Sequence, residues 1–324
     1  MRRFPLADSA GFLSPQNKHM DIRKPNPDTI DIIGSTGVPP FPQFYAGDAA
    51  VEYQRQFSRT VLELGLHEIR KPSDVLQEGV GVVFCMQHTP ADITPEHLRL
   101  LSAFGVRFMA LAYAKATPFG GGYQEDAPLT PRGKELLLAL YGWGITADLS
   151  HLGPRMALDV LEYTYAKLPG MKPMLSHSAC SAVHPHPRNA SDEVLRGVAN
   201  AEGYVGIPVL SPFLGPQGSD PFVQLREHLA HAARICGPDL VGIGSDSQHF
   251  DMTMDEERAI FDYMSERVPN HDMYWPTRHE AIVTRGSWLM RVLDDALTPG
   301  ITERGRRLTL GSSYAYYLLR ALPS

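Results

Sequence analysis

Asp148-Leu149-Ser150-His151 and Met174-Leu175-Ser176-His177-Ser178 are two segments in which a short apolar run ends in a histidine. In a chain that alternates strands and helices, such a run reads as a buried parallel strand. The residue just past its carboxyl end then sits where α/β folds and barrels place their active sites. The segment between them fits one helix, about Pro154 to Lys167, with Met156, Leu158, Val160 and Leu161 as its apolar positions, followed by the turn Leu168-Pro169-Gly170. Two imidazoles are expected to project from neighbouring strand tips into one cleft.

Thr29–Gly34 reads as a first buried strand, and Val80–Cys85, Val106–Tyr113, Ile145–Leu149, Gly203–Leu210 and Leu240–Asp246 as later ones. Helices are expected from about Asp48 to Leu64, Thr94 to Phe104, Thr130 to Tyr141, Ser191 to Asn200 and Phe222 to Ile235. This alternation predicts seven strands, near residues 30, 82, 108, 146, 174, 205 and 242, with an eighth somewhere between Pro39 and Pro72. A parallel sheet of that many units argues for a closed (β/α)8 TIM barrel. Residues 1–27, rich in Pro, Asp, Asn and Lys, read as an N-terminal arm, and 28–324 as a single barrel domain with C-terminal helices. His19-x-Asp21 in the arm reads as solvated. The Gly120-Gly121-Gly122 loop lacks the Lys-Ser/Thr of a phosphate cradle and reads as a lid or turn.

The net charge of −6 gives no reason to expect nucleic acid or an anionic membrane as a partner. No window approaches the ~20 apolar residues that a membrane helix needs, and the polar residues behind Arg2-Arg3 argue against a signal peptide. Cys85, Cys180 and Cys236 lie far apart with no C-x-x-C pair, so neither a disulfide framework nor a zinc knuckle is indicated. A cytoplasmic location is the simplest expectation.

His151, His177 and Asp246 are expected at the carboxyl ends of three different strands. Imidazole nitrogen and carboxylate oxygen suit Zn²⁺ and related ions, and an open position would hold a water activated for hydrolysis. The bland alternative for any one of them is a hydrogen-bonded buried His or a capping Asp. Arg188 follows the rigid run His184-Pro185-His186-Pro187 and can grip a carboxylate by two parallel hydrogen bonds. A salt bridge to Asp192 or Glu193 is the competing reading.

In this order and spacing, Asp148–His151, Leu175–Ser178, His186-Pro187-Arg188-Asn189 with Ser191-Asp192-Glu193, and Gly242–Asp246 resemble the renal (membrane) dipeptidase family, the M19 metallopeptidases. Leu129–Gly133 and Leu310-Gly311 match it more loosely. The resemblance implies a metal-dependent hydrolase barrel of the amidohydrolase type, with two bridged zinc ions, that cleaves dipeptides, and often a homodimer. It casts His151 and His177 as ligands of the second metal, Arg188 as the anchor of the substrate carboxylate, and Asp246 as the catalytic proton carrier.

The departures are as informative. Where the family's first strand ends in a metal-binding His-x-Asp, alignment on Gly34 and Pro39 places Ser35 and Gly37. The bridging glutamate corresponds to Gln87, a weak neutral ligand, and a substrate-binding histidine to Tyr113. One site is therefore expected to be lost, leaving at most one zinc or similar ion per chain on His151 and His177, completed by Asp246, Gln87, His88 or His249. Three functions compete: a single-metal hydrolase of a dipeptide-like substrate; a metal-free lyase or isomerase using the same residues as acid and base; and a non-catalytic binding protein.

Overall fold

The structure, a computed structural model, describes residues 5–14, 21–36, 46–216, 218–256, 258–259, 262, 286, 289–298 and 301–324. The parallel sheet begins earlier than the pattern suggests. Residues Ala7–Phe12, expected in a surface arm, form the first strand, β1, and all of them are buried. The segment escapes a strand reading because it has no β-branched residue and carries Asp8 and Gly11, both poor strand formers. Its small side chains fit between neighbouring strands, and Asp8 is consumed by hydrogen bonds described below.

The following elements are β2 (Ile32–Thr36), α1 (Gly47–Glu63), β3 (His67–Glu68), β4 (Gly81–Met86), α2 (Pro95–Ala103), β5 (Val106–Ala110), α3 (Pro131–Gly142), β6 (Thr146–Asp148), α4 (Pro154–Lys167) and β7 (Met174–Leu175). Then come α5 (Asp192–Asn200), β8 (Tyr204–Ile207), α6 (Ser211–Leu214), α7 (Pro221–Cys236), β9 (Val241–Ile243), β10 (Ser247–Gln248), α8 (Leu289–Leu297), α9 (Glu303–Arg307) and α10 (Ser313–Ala321). The strand order is β10-β1-β2-β4-β5-β6-β7-β8-β9, with every pair parallel. β9 and β10 are two halves of one last strand. The first half pairs with β8 and the second with β1, which closes the barrel. The extra strand sought between Pro39 and Pro72 is therefore β1. β3 does lie in that window, but it pairs with β4 off the barrel path.

The helix starts follow local chemistry. Thr130, Ser191 and Asp220 each accept from backbone N–H groups of the first turn, and Pro sits in the first turn of α2, α3, α4 and α7. At Thr94 the cap is reciprocal. Its hydroxyl accepts from His97 N, and His97 Nδ1 accepts from Thr94 N, each at 3.2 Å, so an imidazole takes the place of the acid in a capping box. α1 starts one residue before the expected Asp48, which lies inside its first turn.

One mouth of the barrel is plugged. Tyr314 and Tyr317 from α10 pack on Tyr204 at the start of β8, with ring centroids 5.1 and 5.7 Å away, and Tyr317 also meets Phe108. Ala7, Ile32 and Met174, at the starts of their strands, belong to the same buried cluster. The C-terminal helix thus seals the amino-terminal end of the strands, and the carboxyl end is left for function. Inside the barrel, Gly244 permits close approach of β7: a Cβ there would lie 1.7 Å from Ser176 O.

The closing seam is held by Asp8. Its carboxylate accepts from Ala10 N at 3.0 Å, Ser245 N at 2.8 Å, Ser245 Oγ and His249 Nε2 at 2.7 Å. Asp8→Ala leaves these buried donors without an acceptor, and the expected loss is about 3 kcal/mol of unfolding free energy. Urea denaturation checks this, and an unchanged midpoint would mean that the seam is held by strand pairing alone.

Candidate active site

The open end of the barrel collects most of the residues singled out above. Gln87 and His88 follow β4, Tyr113 follows β5, His151 follows β6, His177 and Arg188 follow β7, and Asp246 interrupts the last strand between β9 and β10. His151 and Asp246 have φ of 73° and 55°, in the left-handed region that non-glycine residues rarely adopt. Such backbone persists where the surroundings over-determine it, and functional sites are where it clusters.

The two imidazoles meet. His151 Nε2 lies 2.8 Å from His177 Nε2, and His177 Nε2 lies 3.9 Å from Asp246 Oδ1. The Tyr113 ring stacks on His151 with centroids 4.0 Å apart and 26° between planes, fixing the ring's orientation. Gln87 Nε2 donates to Asp246 Oδ1 at 3.4 Å, so its amide steadies the carboxylate. Behind His177, its Nδ1 lies 2.6 Å from Ser176 Oγ, which in turn donates to Asp148.

Arg188 is 5% exposed. Its Nη1 donates to Ser178 Oγ at 3.0 Å, while Nη2 is buried without a hydrogen-bond partner among the described residues. The rings of Tyr123 and Phe213 flank the guanidinium at 6.0 and 5.9 Å. The competing salt bridge does not form: Asp192 is paired with His231 at 2.8 Å. A buried cation with an unused pair of protons calls for an external anion.

Burial sets the protonation states. Burial first, and then the Arg188 cation, hold His151 and His177 well below the ordinary histidine value, so both are neutral at pH 7. Burial likewise pushes Asp246 up to about 6, against the pull of Arg188 and the Gln87 hydrogen bond. It holds Arg188 below its usual value, with Asp246 opposing. His88 is also buried, neither ring nitrogen has a partner among the described residues, and burial lowers it to about 3.

Two neutral imidazoles aimed at one point, with a carboxylate beside them, supply donors for one divalent ion. Among the described residues, no group of three His, Cys, Asp or Glu side chains is arranged to hold a metal. The positions to compare with the family's His-x-Asp also shift. Ser35 lies in β2, the second strand, and Gly37 lies outside the described residues, whereas the true first strand ends in Ala10-Gly11-Phe12. No imidazole or carboxylate stands there. His249, a candidate helper, is committed to Asp8, and its ring packs on Gly11 so tightly that a Cβ there would come within 2.7 Å.

His228 is fully buried: its Nδ1 accepts from Cys180 N and its Nε2 donates to Leu214 O. All three cysteines are buried free thiols. His19 lies outside the described residues, while Asp21 pairs with Arg23. No helix among the described residues is long and apolar enough to cross a membrane. Asp148 and Ser176 flanked the histidines in the motifs but gave no sign of their own, because a hydrogen bond between two strand tips leaves no periodicity in sequence.

Residues 73–263 match the family model for membrane dipeptidase (peptidase family M19). The chain is 28% identical over 165 residues to an uncharacterized dipeptidase of Schizosaccharomyces pombe (strain 972 / ATCC 24843), covering 49% of this chain and 39% of that protein. It is 29% identical over 154 residues to the dipeptidase tcpJ of Claviceps purpurea (strain 20.1), covering 46% and 35%. The matched segments span well under half of these relatives' length. Among solved structures, an amidohydrolase from Pseudomonas aeruginosa superposes with a TM-score of 0.77 at 18% identity, covering 98% of this chain and 96% of that one. A metallo peptidase from Rhodobacter sphaeroides, liganded with a phosphinate mimic of the dipeptide L-Ala-D-Ala, does so with a TM-score of 0.71 at 19% identity, covering 98% and 99%. These structural likenesses carry the fold. Since the family model spans more than half of its residues, the chain belongs to the membrane dipeptidase family, peptidase family M19.

Proposed function

We propose that this chain hydrolyses the amide bond of a small, carboxylate-bearing, dipeptide-like substrate, using at most one divalent ion, zinc or a similar one. The observation that carries the reading is the neutral His151–His177 pair set between Asp246 and an Arg188 whose Nη2 has no hydrogen-bond partner among the described residues. His151 and His177 are the residues that would hold such an ion, and when bound it would supply Lewis acidity. Arg188 takes the substrate carboxylate on Nη2 and fixes the register of the peptide. Asp246, as a carboxylate, accepts a proton from the attacking water and returns it to the leaving amine. Gln87 holds the carboxylate in place, and Tyr113 covers His151 and faces the substrate.

The metal-free acid/base reading is disfavoured by the same burial. Imidazoles held far below pH 7 offer lone pairs and are poor general acids. Purified protein is expected to hold no more than about one divalent ion per chain, bound more weakly than in a site with three protein ligands. His151→Ala and His177→Ala are each expected to abolish cleavage. Elemental analysis combined with a screen of L,L and L,D dipeptides tests the proposal. Two tightly held ions, or cleavage that survives both substitutions, would overturn it.

A further inference from the structure

The donors available behind His177 set the direction of its hydrogen bonds. Asp148 lies at the end of β6, 2% exposed, and its Oδ1 accepts from Ser150 N at 3.0 Å and Ser176 N at 3.1 Å. Its Oδ2 is met by Ser176 Oγ. A carboxylate only accepts, so the single hydroxyl proton of Ser176 points to Asp148. The Ser176 oxygen is then left with lone pairs, and two groups reach it: His177 Nδ1 at 2.6 Å and Ser150 Oγ at 3.2 Å. Ser150 Oγ accepts from His177 N at 3.0 Å, and its own hydroxyl also hydrogen-bonds Asp148. His177 Nδ1 can satisfy a lone pair only by carrying a proton.

We infer that Asp148 and Ser176 form a relay that fixes His177 as the Nδ1–H tautomer and thereby aims its Nε2 lone pair at His151 and the cleft. They are positioning residues, acting through His177. A metal-ligating imidazole needs this arrangement, with its remote N–H engaged and its other nitrogen bare. The partners sit on two different strands, so the relay also ties the β6 and β7 tips together. Only the value of a bare Nε2 rests on the proposed hydrolase reading, because the tautomer follows from the hydrogen bonds to an ionised Asp148, a state that the Ser176 and Ser150 donors favour against the upward push of burial.

The test uses full-length protein freed of metal and labelled with ¹⁵N at histidine, whose ring nitrogens report the tautomer directly. His177→Gln identifies the signals. The wild type is expected to show His177 with its proton on Nδ1. In Asp148→Asn, which keeps the shape, the side-chain amide donates to Ser176, the hydroxyl turns toward His177, and the proton moves to Nε2. Ser176→Ala removes the relay and mixes the tautomers. Zn²⁺ titration of the same samples should show affinity falling about 10- to 100-fold in both variants. A wild-type proton on Nε2 would overturn the relay, as would an unchanged tautomer in Asp148→Asn. If Asp148→Asn does not fold, Ser176→Ala decides: a pure Nδ1–H signal with undiminished Zn²⁺ affinity overturns the inference. A relay that behaves as stated in a protein that cleaves no dipeptide would remove the hydrolase proposal and leave the relay standing.

Discussion

Replacing Arg188 with alanine raises KM for carboxylate-bearing substrates about a hundredfold and changes kcat far less, since a charged hydrogen-bonded contact contributes about 3 kcal/mol to binding in a desolvated site. The structure explains why the effect falls on KM. Arg188 Nη2 has no partner among the described residues, and the nearby rings hold the guanidinium without neutralising it. Amide substrates without a carboxylate should be indifferent to the change. A second consequence separates the charge from the packing. Because the Arg188 cation holds Asp246 down, its removal should move the acid limb of kcat/KM upward from about pH 6. Steady-state kinetics across pH check both. If KM and the acid limb stay where they are, Arg188 is a packing residue for Tyr123 and Phe213.

Asp246→Asn is expected to lower kcat by about a thousandfold, in the range general acid–base groups contribute, with KM little changed. Asparagine keeps the acceptor for Gln87 but cannot carry the proton. In the wild type, activity should rise with pH through about 6, where Asp246 ionises, and that limb should vanish in the variant. Stability gives an independent reading of the same group. The folded-state value lies above the ordinary carboxylate value of 3.8, so the folded protein binds this proton more tightly than the unfolded chain. The resulting stability is present below that window and is lost as pH rises from about 4 to about 6. Denaturation midpoints across this range should fall in the wild type and fall less in Asp246→Asn. A variant with an unchanged acid limb would shift the proton-carrying role to another group.

Much of the barrel was legible because buried parallel strands leave apolar runs and helices leave caps. The runs at Val80, Val106, Ile145 and Met174 each became β4 to β7, and Thr130 and Ser191 cap the helices they were read to start. β1 was not legible. Ala7-Asp8-Ser9-Ala10-Gly11-Phe12 looks like a loop, and it is a strand because the barrel needs a partner for β2 and β10 there, with Asp8 meeting donors from residues 245 and 249.

For the site, sequence by itself determined which side chains stand at strand tips. The residue after a buried strand has to emerge at the barrel's open end, so His151, His177 and Asp246 could be named from local pattern, whereas Gln87 was named only through the family resemblance. Tertiary structure decided the rest. Burial is a property of the assembled barrel, and it makes the imidazoles neutral and raises Asp246. The distance between two strand tips is equally non-local, and it places His151 against His177, leaves Arg188 Nη2 without a partner among the described residues, and lets Ser176 pass the demand of Asp148 on to His177.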